Sequence, residues 1–208
     1  MPKLNITRPT AAYLRDKLQL TPEQEEIALY GLQTILYPVT GLAAVVLTGH
    51  FFGCLATTLA AALAAGFLRL WSGGAHSGSP LTCALTSTVV FAVLGKAAVL
   101  AAEALTPAAS LTVLVAGLAF CLPVVYRLAP VDSPAKPILA ADYRRRLHHL
   151  SVAAVVLLTT AQVLLLRAGA YSLVLALSLG LGWQTFSLTR AGHRFATFID
   201  KLTTSLGR

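Results

Sequence analysis

Charged residues are scarce in this chain. Only 12% of its 208 residues are Asp, Glu, Lys or Arg, whereas 56% are hydrophobic and the mean hydropathy is +0.73. The apolar runs are too long to form the core of a soluble globular domain. The composition therefore excludes an ordinary soluble protein and predicts an all-α, polytopic integral membrane protein.

Cysteine is also rare, and the three cysteines lie far apart in the sequence. An odd, scattered set without a CxxC pair excludes a disulfide framework and gives no reason to expect a metal site or another cofactor. Cys54 and Cys121 lie within apolar runs and are interpreted as small buried residues. No N-terminal signal peptide is expected, because residues 1–20 are polar and contain no apolar core before a cleavage site. The first spanning helix is therefore expected to act as the insertion signal.

The long apolar runs divide the chain into spans. A membrane-spanning helix needs about 20 predominantly apolar residues. Six such helices are predicted, at residues 27–48, 51–70, 81–105, 108–126, 148–166 and 170–188. Without an internal repeat, the whole chain (1–208) is interpreted as one domain. Its parts are an amphipathic N-terminal segment (1–26), a six-helix membrane core (27–189) and an amphipathic C-terminal helix (190–208).

The net charge of +8 does not indicate nucleic-acid binding, because the basic residues lie mainly between or outside the apolar runs. If both termini face the cytoplasm, fourteen of the sixteen Lys and Arg residues lie on that side, and only Lys96 and Arg167 do not. This asymmetry is the one that the positive-inside rule describes. We therefore predict cytoplasmic termini and a cytoplasmic loop between the second and third spans. The basic residues 144–146 are expected to contact anionic lipids of the cell membrane.

The loop between the second and third spans contains the residues with most chemical potential, His76 and Cys83. Ser79 and Pro80 are typical of a helix N-cap and first helical position, so Cys83 is predicted just inside the first turn of the third span. The helix dipole and free amide groups favour a thiolate there, which is the nucleophilic form of cysteine. Because Gly78 and Pro80 interrupt any helix, the loop can fold back and bring the imidazole to the thiol. The alternative is that both residues are merely packed or solvated at the membrane interface.

Two motifs in the chain resemble those of a known family. The first is Arg69-x3-Gly73-Gly74-x-His76-x6-Cys83. The second covers residues 126–138 and contains Ala129-Pro130, Asp132 and Lys136-Pro137-Ile138. Together they resemble the accessory gene regulator B (AgrB) family of membrane cysteine endopeptidases, and the resemblance extends over residues 27–170.

The resemblance implies a peptidase that removes the C-terminal tail of an AgrD-like quorum-sensing propeptide and promotes closure of the remainder into a thiolactone or lactone ring. It implies Cys83 as the nucleophile and His76 as the base. Positions expected to bind substrate or support the loop are Arg69, Gly73, Gly74 and Ser79. Ala75 departs from the family, in which an aromatic residue is frequent before the histidine. The resemblance and the Ala- and Gly-rich spanning faces also favour a homodimer.

Two other functions remain open from the sequence. One is a small membrane transporter or channel lined by Lys96, His50 and Cys54, of which the last two are four residues apart and could share a helical face. The other is a non-enzymatic membrane scaffold in which the glycine-rich loop is only a connector. Within the peptidase interpretation no third catalytic residue is identified, and Asp132, Asp142 and the acidic cluster at residues 23–26 remain candidates.

Overall fold

The computed structural model describes residues 7–75, 77–132 and 138–205, apart from the side chain of Thr204. Within these ranges the chain is all-α and forms eight helices. They are α1 (Thr7–Leu18), α2 (Pro22–Phe51), α3 (Leu55–Ser72), α4 (Pro80–Ala104), α5 (Pro107–Leu128), α6 (Ala141–Arg167), α7 (Tyr171–Leu188) and α8 (Arg190–Ser205). In these described parts, the six helices α2 to α7 are long and apolar enough to cross a membrane. The predicted polytopic helical architecture is confirmed.

The start of α2 follows directly from its local sequence. Thr21 Oγ1 accepts a hydrogen bond from the Gln24 backbone N–H at 3.3 Å, and Gln24 Oε1 accepts one from the Thr21 N–H at 3.0 Å. This reciprocal pair is a capping box, and Pro22 occupies the first helical turn. The polar cap therefore starts the helix five residues before the apolar run that begins at residue 27.

The connection between the first two spans differs from the sequence prediction. The predicted spans 27–48 and 51–70 leave only Gly49 and His50 for a turn between them, yet α2 continues through Phe51 and the turn lies at residues 52–54. Gly49 is instead a close-packing position inside the helix, since a Cβ there would lie 3.0 Å from Thr58 Cβ of α3. A glycine in an apolar run thus marks helix contact here rather than a chain reversal.

This turn also removes the geometry on which the transporter interpretation depends. Cys54 precedes α3 rather than continuing α2, so His50 and Cys54 do not share a helical face. The Cys54 thiol is buried and lies 3.4 Å from Thr58 Oγ1. Lys96 Nζ donates to the Phe52 carbonyl oxygen at 3.4 Å, which gives this lysine a structural contact at the turn.

The fifth span begins earlier than predicted. α6 starts at Ala141 rather than near residue 148, because arginine is a good helix former and residues 144–146 extend the helix beyond its apolar run. Arg144 Nη2 donates to Asp132 Oδ2 at 2.5 Å. Asp132, a candidate third catalytic residue, is therefore an ion-pair partner of α6.

α7 lies at the centre of the bundle, where it contacts α3, α4, α5, α6 and α8. Its apolar side chains join a core built from four spans, represented by Leu68, Val125, Val155 and Leu181. Gly180 brings α7 against α3, since a Cβ at this position would lie 2.2 Å from the Ala61 carbonyl oxygen. This close approach fixes the two helices that carry the residues around Cys83.

Gly180→Ala is expected to destabilise the bundle, because the added methyl group cannot fit against the Ala61 backbone. Overpacking of this kind costs about 1–3 kcal/mol. Gly182→Ala on the same helix is the matched control, since nothing lies within 4 Å of its added Cβ. Thermal unfolding in detergent should show a lower midpoint for Gly180→Ala only. Equal midpoints for the two variants would contradict the packing of α7 on α3.

Three connections meet at one end of the bundle. Val131, after α5, forms an isolated parallel bridge with Gly73, and its N–H donates to the Ser72 carbonyl oxygen at 2.9 Å. The Ala75 N–H donates to the Ser187 carbonyl oxygen at the end of α7, also at 2.9 Å. The α3–α4 loop is thereby packed against the chain segments that follow α5 and end α7.

Candidate active site

Cys83 lies on α4, one turn from the start of the helix. Ser79 occupies the N-cap and Pro80 the first helical position, as predicted, and the Cys83 N–H donates to the Ser79 carbonyl oxygen at 3.0 Å. The Ser79 side chain makes no capping hydrogen bond among the described residues, so its position as N-cap is confirmed without a side-chain contribution. Cys54 and Cys121 are buried as predicted, whereas Cys83 is only partly buried. Of the three thiols, Cys83 is thus the accessible one.

Arg69, at the end of α3, holds the beginning of the loop. Its Nη2 donates to the Ala75 carbonyl oxygen at 2.5 Å, and its Nη1 donates to Gln184 Oε1 at 3.3 Å. A guanidinium suits this place because its rigid fork can reach two acceptors at once. The sequence leaves substrate contact and loop support open for Arg69, and these contacts are those of loop support.

Gln184 of α7 connects the loop to the centre of the bundle. Its Nε2 donates to Ser72 Oγ at 3.1 Å and to the Gly73 carbonyl oxygen at 2.7 Å, while its Oε1 accepts from Arg69. Gln184 is only 1% exposed, so these bonds satisfy an amide that has little access to water. Sequence reasoning missed this residue, although a polar side chain inside an apolar span was a usable signal.

Gly73 and Gly74 are required by the course of the backbone. Their φ angles are +65° and +132°, a region that side chains rarely adopt. A Cβ at Gly73 would lie 2.3 Å from the Val131 carbonyl oxygen, and one at Gly74 would lie 2.6 Å from Ser187 Oγ. The sequence leaves substrate binding and loop support open for these two glycines. In the structure, the close approach is to the protein's own chain.

α8 contacts the other half of the loop. The Asp200 carboxylate accepts hydrogen bonds from Ser77 Oγ and from the Gly78 N–H, the latter at 2.9 Å. Thr203 Oγ1 lies 3.3 Å from Thr82 Oγ1, next to the cysteine in sequence. The sequence predicts α8 as an amphipathic surface helix and does not single out Asp200 as a site residue.

A cavity of about 170 Å³ opens beside Cys83. One part of its lining is polar and comes from the loop and its supports, with Arg69, Ala75 and Ser77 among the residues. Another part is aromatic, where the rings of Trp183, Phe186 and Phe195 pack with centroids 5.6–6.2 Å apart. The cavity thus offers polar groups near a thiol and an apolar surface for a substrate side chain.

The sequence also names His76, the second motif and two aspartates as candidate site residues. His76 and residues 133–137 of the second motif lie outside the described residues. Asp132 and Asp142 do not line the cavity. Ala75 and Ser77, the two sequence neighbours of His76, do line it.

The comparisons with known proteins agree with the motif resemblance. The family model described as accessory gene regulator B matches residues 7–188. The chain belongs to the AgrB family. Membership implies a role in the agr quorum-sensing system, and the family is associated with AgrD-type propeptides. Together with the six apolar helices, it identifies the chain as a multi-pass membrane protein of that system.

Two relatives from Clostridium perfringens are similar over nearly the whole chain. They are named for their similarity to AgrB, as AgrB-like protein 2 in strain 13 and AgrB-like protein in strain SM101. Each is 26% identical over 212 residues, which cover 97% of this chain and 98% of the relative. No solved structure matches the chain. The match to the AgrB family ends at residue 188, so α8 lies beyond it.

Proposed function

We propose that this AgrB-family protein is a membrane cysteine endopeptidase. It cleaves the C-terminal tail from an AgrD-type propeptide and promotes cyclisation of the remaining peptide. The observation that carries the proposal is the position of Cys83, an accessible thiol one turn into α4. It shares a cavity with a loop that is held by hydrogen bonds on both sides.

In the proposed first step, His76 accepts the proton of the Cys83 thiol, and the sulfur attacks the scissile carbonyl carbon. The C–N bond breaks, and the leaving amine takes the proton from the imidazolium. The C-terminal tail departs, and the rest of the propeptide stays on Cys83 as a thioester. The peptide bond is thereby exchanged for an acyl bond that remains reactive.

In the second step, a cysteine or serine of the bound peptide attacks the thioester carbonyl. A thiolactone or lactone forms as the C–S bond to Cys83 breaks, and the Cys83 sulfur takes up the proton that the attacking thiol or hydroxyl loses. The aromatic part of the cavity supports this transfer, because a site that excludes water protects a reactive intermediate from hydrolysis. A purified enzyme that yields only linear peptide would refute the cyclisation step.

We further propose that the termini and the Cys83 loop face the cytoplasm, where the thiol stays reduced. Several basic residues lie at the same end of the helices as this loop, namely Arg69, Arg127, Arg190 and residues 144–146. Their position supports the orientation, because basic residues favour the cytoplasmic side. A homodimer also remains a prediction. Cysteine-accessibility labelling in intact cells and crosslinking in membranes test these two points.

The proposed function is tested by co-expressing the protein with its propeptide and analysing the peptide fragments by mass spectrometry. Wild type should release the C-terminal tail fragment and a cyclic product, whereas Cys83→Ala and His76→Ala should leave the propeptide intact. A transporter or a scaffold would yield no fragment even with wild type. Unchanged cleavage by either variant would overturn the proposal.

Gly74→Ala is expected to reduce cleavage by about 10-fold or more, since an alanine at φ +132° is strained and its Cβ meets Ser187 Oγ. The strain should displace the loop and with it Ala75. Gly78→Ala is the matched control, because its Cβ would make an ordinary contact of 3.6 Å with Asp200 Oδ2. Initial cleavage rates at equal enzyme concentration compare the two variants. Similar losses in both would argue against a specific role of the Gly74 conformation.

A further inference from the structure

We propose that Asp200 of α8 is a positioning residue for the loop that carries the proposed base, so that α8 forms part of the active site. This inference rests on the function proposed above. It concerns a helix that lies beyond the residues matched to the AgrB family. Asp200 is the sole acidic residue of α8.

The hydrogen bonds of Asp200 supply the main argument. Its two carboxylate oxygens accept from two consecutive loop residues, Oδ1 from the Ser77 hydroxyl and Oδ2 from the Gly78 backbone N–H. Hydrogen bonds to an ionised acceptor are stronger than bonds between neutral groups. Ser77 directly follows His76 in the sequence. The carboxylate therefore fixes the backbone next to the proposed base.

A second contact ties α8 to the other end of the loop. Thr203 is three residues after Asp200, so the two side chains lie on the same face of α8. Thr203 Oγ1 pairs with Thr82 Oγ1 at 3.3 Å, and Thr82 is buried directly before Cys83. One face of α8 thus contacts the chain just after the proposed base and just before the proposed nucleophile.

α8 packs closely against α7. A Cβ at Gly192 would lie 2.3 Å from the Phe186 carbonyl oxygen, so the start of α8 packs directly against the backbone of α7. The Phe195 ring packs edge-on against Trp183 of α7, with centroids 5.7 Å apart. Phe195 and Ile199 also line the cavity beside Cys83. The packing of α8 on α7 therefore holds Asp200 in place beside the loop.

These contacts predict an effect on the chemical step rather than on substrate affinity. Misplacing a catalytic group by about 1 Å can lower a rate by about 100-fold, even when the changed residue does not touch the reacting atoms. Loss of Asp200 should release the loop while leaving Cys83 and the aromatic part of the cavity in place. We therefore expect a lower kcat with little change in KM.

The test uses the full-length protein in detergent with a synthetic AgrD-type propeptide. Asp200→Ala removes both acceptors, whereas Asp200→Asn keeps one oxygen and loses the charge. Lys201→Ala, at the exposed neighbouring position, is the control. We expect kcat to fall by about 10- to 100-fold for Asp200→Ala and by less for Asp200→Asn, with KM within about twofold of wild type. Lys201→Ala should match wild type, and all melting temperatures should be similar.

A wild-type kcat for Asp200→Ala would overturn the positioning role. A loss of kcat that parallels a loss of melting temperature in both Asp200 variants would also overturn it, because the carboxylate would then serve only the fold. If Asp200→Ala does not yield folded protein, Asp200→Asn provides the test: a lower kcat with an unchanged KM would support the positioning role, and a wild-type kcat would overturn it. Cys83→Ala in the same assay separates the two proposals. If that variant cleaves, the peptidase function fails, whereas an inactive Cys83→Ala beside a fully active Asp200→Ala refutes the positioning role alone.

Discussion

Cys83→Ala is expected to lower propeptide cleavage by more than about 1,000-fold, because removal of the proposed nucleophile leaves no route through the proposed acyl-enzyme. Cys83 is partly buried, whereas the other two cysteines are buried. Its side chain lines a cavity that the loop residues Ala75 and Ser77 also line. Removing the thiol leaves the backbone hydrogen bond from the Cys83 N–H to the Ser79 carbonyl oxygen in place, and the supports of the loop described above come from other side chains. The folded protein should therefore persist without activity.

Cys54→Ala and Cys121→Ala provide the matched controls, because both thiols are buried and neither lines the cavity. These variants should cleave the propeptide at rates close to wild type. The assay is the initial rate of tail release, measured with equal amounts of each purified protein. Activity in Cys83→Ala above about a tenth of wild type, or a loss in the controls equal to that of Cys83→Ala, would contradict the assignment of the nucleophile.

Arg69→Lys is expected to lower cleavage by about 10- to 100-fold although the charge is conserved. The guanidinium donates to the Ala75 carbonyl oxygen and to Gln184 Oε1 from two different nitrogens. An ammonium group is a single point donor and cannot span both acceptors in the same geometry. One end of the loop beside Cys83 should therefore become loose.

The charge-conserving change separates loop support from membrane orientation. Lysine satisfies the positive-inside rule as well as arginine does, so the topology should not change. Arg127→Lys is the control, because Arg127 is exposed at the end of α5 and does not line the cavity of Cys83. Initial cleavage rates should fall for Arg69→Lys only. A fully active Arg69→Lys would contradict the role of the guanidinium fork in supporting the loop.

The spans were predictable from the sequence because hydropathy over about 20 residues is a strong signal. The ends of the spans were harder to predict from the sequence. The polar residues 144–146 continue α6, since helix propensity does not depend on apolar character. At the first connection, Gly49 indicates either a turn or close packing, and only its contact with Thr58 of α3 decides between them.

The local geometry of the candidate site was also predictable. Ser79 and Pro80 set the start of α4 and thus the depth of Cys83 in the helix. The supports of the loop were not predictable, because their partners are remote in sequence. Arg69 and Gln184 are 115 residues apart, and Ser77 and Asp200 are 123 apart. No local pattern encodes contacts over such separations.

The most direct test of the peptidase proposal is intact-protein mass spectrometry of the acyl-enzyme. Wild-type protein is mixed with an AgrD-type propeptide whose ring-forming cysteine or serine is replaced by alanine, and the reaction is quenched in acid. We predict an adduct equal in mass to the propeptide minus its C-terminal tail, located at Cys83 by fragmentation and released by hydroxylamine. Cys83→Ala should carry no adduct. Tail release without any adduct on wild-type Cys83, or an adduct that persists in Cys83→Ala, would contradict the proposed mechanism.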